Sequence, residues 1–172
     1  MIFYGRFQRK AAGVAELGAP PGEQIKFEIR DNINTAADMI DQLEWMKKKI
    51  TDLRDVMARK DLKDMAAAVV EFGKKFQSVE DELFQPTIAE SDTKSFRDPQ
   101  KVYEKLSVLA GDISGSVDFA PNKQQREVYA VLKESLATQK GRFEGLIKTD
   151  LASFNKLLAD RGVAGIIVPV VK

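Results

Sequence analysis

Carboxylates are the side chains whose type and spacing come nearest to chemistry in this sequence. Asp38 and Asp41 stand three apart, with Glu44 three further on, and Glu80, Asp81 and Glu82 are consecutive. Two carboxylates at a suitable separation act as acid and base, or hold Mg²⁺ or Mn²⁺ through oxygen. The same pattern also describes a solvated helix face, which is the commoner use of charged residues.

The sequence has no histidine and no cysteine. That removes the usual general base, the imidazole and thiolate metal ligands, and the thiol nucleophile. A Glu-x-x-His di-iron site cannot be built. Ser114, in Gly111-Asp-Ile-Ser-Gly115, lacks the G-x-S-x-G spacing of a nucleophile elbow and has no histidine to activate it. It reads as a helix-end residue. Asp150 and Gln139 lie beside an apolar stripe and read as a local cap and a core hydrogen-bonder.

Basic residues gather at Lys47, Lys48, Lys49, Arg54, Arg59, Lys60 and Lys63, near Trp45. Such a patch can hold phosphate. Asp52, Asp55, Asp61 and Asp64 are interleaved with it and cancel much of its charge, so nucleic-acid binding is a minor reading. No Gly-rich phosphate loop follows a strand, because no convincing strand is present. No catalytic, cofactor-binding or metal-binding residue is therefore assigned.

What remains is architecture. With 27 Lys+Arg against 26 Asp+Glu the net charge is +1, so no global field draws nucleic acid or acidic membrane. A chain of 172 residues fits one domain with its own core. No stretch approaches the roughly 20 apolar residues that span a bilayer, and no targeting signal is recognisable.

Residues 1–24 have no steady period and are broken by Gly and Pro, which predicts an irregular arm. From about Glu23 to Ala58, apolar residues recur at steps of three and four from Ile25 through Ile29, Ile40, Met46 and Leu53 to Met57. This predicts a helix about 54 Å long. Leu62, Met65, Val69, Phe72, Phe76, Val79 and Leu83 make a second stripe without a miss. The first stripe, extended, lands on Lys60 and Asp64, so a tight turn near residues 59–61 with Asp61 as N-cap is expected.

Residues 85–97 read as a loop. Asp98-Pro99 predicts the start of a third helix, carrying Val102, Leu106, Leu109 and Ile113. Residues 118–121 read as a turn. Asn122 and Gln125 have capping-box spacing for a fourth helix, which runs to about Asp160 through Tyr129, Leu136, Phe143, Leu151 and Leu158. Gly141 and Gly145 predict a kink or a close helix approach, and Thr149-Asp150 a re-cap. Gly162 ends the helix, and residues 163–172 form an apolar tail expected to fold back. Four compatible stripes over residues 25–162 predict an all-α, antiparallel four-helix bundle.

Residues 27–167 resemble the C-terminal helical region of bacterial BNR-repeat, sortilin-like β-propeller proteins, which are labelled glycosyl hydrolases. Phe27-Glu-Ile-Arg-Asp-Asn-Ile-Asn34 with Asp41-Gln42-Leu43 is similar to that region's first helix. Leu106-Ser-Val-Leu-Ala-Gly111 followed by Asp118 and Pro121 is similar to its "Leu-x-x-Leu-Ala … Asp-x-x-Pro-Thr" turn, with Asn122 departing from the usual threonine. Thr149-Asp-Leu-Ala-Ser-Phe-Asn155 with Leu157 and Leu158 is similar to its closing helix. The resemblance covers about four-fifths of the chain, and residues 1–24 lie outside it. It implies an excised or truncated piece of a larger, exported propeller protein, with any catalytic residue in the propeller.

The expected function is a non-catalytic helical accessory domain that binds a protein partner, or a second copy, through apolar helix faces. The alternative is a small hydrolase of activated esters or phosphoesters that uses Asp38, Asp41, Glu80 or Asp81, with or without a divalent metal.

Overall fold

The structure is a computed structural model that describes residues 21–59, 62–86, 98–114 and 120–169. Among these residues the fold is all-α, with no strand. Helix α1 spans Pro21–Arg59, α2 Lys63–Leu83, α3 Val102–Ser114 and α4 Lys123–Gly145. A π-helical turn over Leu146–Asp150 joins α4 to α5, Leu151–Ala159. Pro21 opens α1 within residues expected in the arm, because proline's fixed φ suits a first helical turn. The rest of the predicted arm, residues 1–20, lies outside the described residues.

The apolar stripes become the core. On α1, Ile29, Ala36, Ile40, Leu43, Met46, Ile50, Leu53 and Met57 are buried, and Met39 joins them. On α2, every stripe residue from Met65 to Leu83 is buried. Each large apolar side chain withdrawn from water contributes at most about 1.5–3 kcal/mol. Phe72 stacks on Phe154 with centroids 4.1 Å apart, and Phe76 meets Phe143 edge-on at 6.4 Å, so aromatic rings join α2 to α4 and α5.

Cross-helix pairs set the directions. Lys47 meets Glu80 and Ile50 meets Gly73, so α2 runs back along α1. Ser78 meets Arg142 and Phe72 meets Phe154, so α4 and α5 run opposite to α2. Helix α3 begins where α2 ends: Phe84 lies against Tyr103, and both the Gln85 and Lys101 amides donate to the Glu104 carboxylate at 3.1 and 2.9 Å. Helix α1 touches both α2 and α3. The described helices α1 to α5 thus occupy three columns, with α2 and α3 end to end in one of them. At the far end, Asn32 and Lys133 bracket Glu28 and Tyr129 between α1 and α4. The Lys133 hydrogen bond holds the Glu28 carboxyl below its ordinary value.

Local signals met different fates. Both halves of the Asn122–Gln125 capping box are present. The Asp98-Pro99 start is not used. Helix α3 opens three residues later at Val102, because Glu104 reaches back to the Lys101 amide and makes Lys101 the cap. Asp61 lies outside the described residues, and the N-cap position of α2 falls to Leu62, without a side-chain cap bond. The Leu62 amide instead donates to the Met57 carbonyl at 3.0 Å, closing the end of α1.

Gly141 and Gly145 have open space around them, so no helix approaches there. The close approach is at Gly73, where an added Cβ would lie 3.3 Å from Ile50 Cγ2. Asp150 makes no cap bond and stays right-handed helical; its carboxylate accepts from Lys75.

Gly162, at φ 65°, ends α5 in a Schellman motif: its amide bonds the Ala159 carbonyl and the Val163 amide bonds the Leu158 carbonyl. The tail then folds back, with Val163 and Ile166 buried. Asn155 clasps the Ile166 backbone through two bonds of 2.8 and 2.7 Å, and Gln42 donates to the Pro169 carbonyl.

Candidate functional site

Among the described residues, two grooves are the best places for a ligand to sit. The first is a shallow groove of about 420 Å³ beside the end of α2, lined by Glu44, Lys47, Lys48, Thr51, Asp52, Glu80 and Pro86. The sequence places Glu80 on a charged, solvated face, but α1 covers it and leaves it 5 % exposed. Lys47 donates to its Oε2 at 2.9 Å, so the carboxylate is paired across two helices.

Glu44 lies on the same rim. Partial burial raises its carboxyl above the ordinary value, the Asp41 and Glu80 charges add to the rise, and Lys47 opposes them. Asp81 and Glu82 point to solvent, and Asp81 accepts from the Gln77 amide at 2.7 Å. Asp38 is half-buried outside the groove lining. Of the four carboxylates expected as a hydrolytic set, only Glu80 lines the groove. Glu44, from the same acidic run on α1, is made a weaker acid by the fold. Among the described residues no group of three or more carboxylates is placed to hold a metal ion.

Lys49 and Gln139, also singled out by the sequence, have structural partners. Lys49 lies over the Trp45 ring at 5.6 Å and pairs with Asp52 at 3.6 Å, so the basic run is partly neutralised where it stands. Gln139 is buried and accepts from Arg142, which suits a core hydrogen-bonder. Ser114 is exposed as the last residue of α3. Among the described residues no buried side-chain nitrogen or oxygen lacks a hydrogen-bond partner.

The second feature is a groove of about 320 Å³ between α3 and α4. Its walls include Lys105, Val108 and Asp112 from α3, and Gln124, Val128 and Leu132 from α4. Val108 is 49 % exposed, Val128 50 % and the neighbouring Val131 65 %. Periodicity hints at these valines: they stand off the buried stripes, at Lys105-Val108-Asp112 and Gln124-Val128-Val131.

Among the described residues, fold and surface together define an all-α body with a satisfied core and an exposed groove lined by valines. No described helix is long and apolar enough to cross a membrane. Compared with known proteins, the chain matches no family, no curated protein and no solved structure.

Proposed function

We propose that this chain is a non-catalytic helical accessory domain that docks a protein partner through the α3–α4 groove. The partner surface that fits has an apolar centre flanked by charges of both signs. In this reading the helices form an antiparallel bundle whose α2–α3 column leaves one side of α3 and α4 uncovered.

The exposed valines carry the reading. An apolar cluster rimmed by polar residues is the usual mark of a docking surface. The carboxylates support it in a second way: Glu28, Glu80, Glu104 and Asp150 each hold one element to another.

The likeness of residues 27–167 to the helical end of BNR-repeat proteins adds a proposed setting, an end piece of a longer propeller-bearing protein. Upstream DNA tests it. An in-frame propeller supports the setting, and a ribosome-binding site directly before Met1 removes it.

A second reading, a hydrolase of activated esters or phosphoesters, is favoured by the raised pKa of Glu44 on its groove. Assays with p-nitrophenyl esters and phosphoesters, with and without a chelator, decide between the two. The docking reading expects no turnover. It also expects an apolar fluorescent dye to bind submicromolar chain and to be released when Val108 and Val128 are both changed to Glu, with the helical circular dichroism unchanged. Turnover that Glu44→Gln abolishes, or absence of dye binding, overturns it.

A further inference from the structure

We propose that the occupant of the α3–α4 groove is a second copy of this chain, packed about a two-fold axis beside Val108. The inference rests on the docking reading and names its partner.

A two-fold interface must be complementary to itself, since each residue meets its counterpart in reverse order. The α3 stripe has that property. Lys105 and Asp112 are seven residues apart, about 10 Å along a helix, with Val108 between them on the same face. Laid antiparallel on its copy, α3 sets Lys105 of each chain opposite Asp112 of the other. Two ion pairs then flank a valine–valine centre.

Three observations favour this occupant. Among the described residues, neither Lys105 nor Asp112 has an ion-pair partner within the chain. Gly111 lies beside Asp112 with no heavy atom within 4 Å of the place a Cβ would take, so a second backbone has room to approach. Val128, half exposed on the facing wall of the groove, extends the apolar centre onto α4.

Size sets the strength. Helix α3 is about 20 Å long, and two adjacent helices are about 20 Å wide. The contact is therefore about 400 Å² per copy, half the roughly 800 Å² of a standard stable interface. The dimer is accordingly weak and concentration-dependent.

Sedimentation of the full chain over a concentration series reads the association directly. Monomers at low concentration give way to dimers. Lys105→Asp and Asp112→Lys each weaken the dimer about tenfold, because each converts two attractions into repulsions. The variant carrying both changes restores it. Because the chain has no cysteine, Val108→Cys supplies the sole thiol. Near the axis it forms a disulfide-linked dimer under mild oxidation, whereas Val70→Cys, exposed on α2, does not.

A monomer at every concentration, or failure of the double reversal to restore association in chains of unchanged helicity, overturns the proposal. A monomeric Val108→Cys variant whose thiol resists alkylation would assign the groove to another segment of this chain. One that alkylates freely and still binds the dye would keep the docking surface and leave it to a different protein.

Discussion

Lys47 and Glu80 share one hydrogen bond in unequal surroundings. The glutamate side chain is 6 % exposed and the lysine side chain 54 %. Lys47→Ala leaves a buried carboxylate without its cation and costs about 2 kcal/mol in urea unfolding. Glu80→Gln keeps the volume and removes the charge, at under about 1 kcal/mol. Equal losses would contradict the burial. Glu44 behaves oppositely. Its folded pKa lies above the unfolded one, so its ionised form lowers stability above the folded value, and that penalty vanishes below the unfolded value. Glu44→Gln therefore raises the melting temperature at neutral pH and leaves it unchanged well below the glutamate range. A fall at neutral pH would refute the sign. Neither effect is legible in the sequence, because each depends on neighbours the fold supplies: Lys47 comes from another helix, 33 positions away from Glu80.

Elements were more legible where the signal is local. The Asn122–Gln125 box needs only four residues, and it forms as spaced. Asn122→Ala is expected to cost about 1 kcal/mol in thermal or urea unfolding. The Gly162 stop is equally local. Gly162→Ala forces an L-residue to φ 65° and costs about 1–2 kcal/mol by the same measurement. Where two local signals compete, sequence reasoning picks one. Asp98-Pro99 is a good helix start, but Glu104 captures the Lys101 amide and also the Gln85 amide from the end of α2. That second, tertiary bond is invisible to spacing. The π-turn left a trace that glycine placement obscured. The stripe of α4 and α5 takes two successive steps of four, Phe143 to Ile147 to Leu151, where three and four would keep phase. The Leu151 amide bonding the Leu146 carbonyl absorbs the extra residue.

For the whole molecule, periodicity identifies which faces are inside but not how many columns they make. A stripe on α3 is satisfied by α1 whether α2 lies beside it or ahead of it, so the end-to-end arrangement of α2 and α3 emerges only from pairs such as Phe84–Tyr103. The folded-back tail is part of the same body. Removing residues 163–172 uncovers the core around Val163 and Ile166 and costs about 3–5 kcal/mol. Denaturant unfolding of the shortened chain measures this, and unaltered stability would show the tail to be dispensable. The Glu104 clasp has a practical consequence. Gln85 and Lys101 hang on the two oxygens of one carboxylate, so residues 85 and 101 are pinned to a single point. Closing a longer loop across fixed ends costs only about 0.6 kcal/mol per doubling of length. A foreign peptide, an epitope or a small reporter spliced between Pro86 and Asp98 would therefore be carried as luggage on a scaffold that keeps its shape.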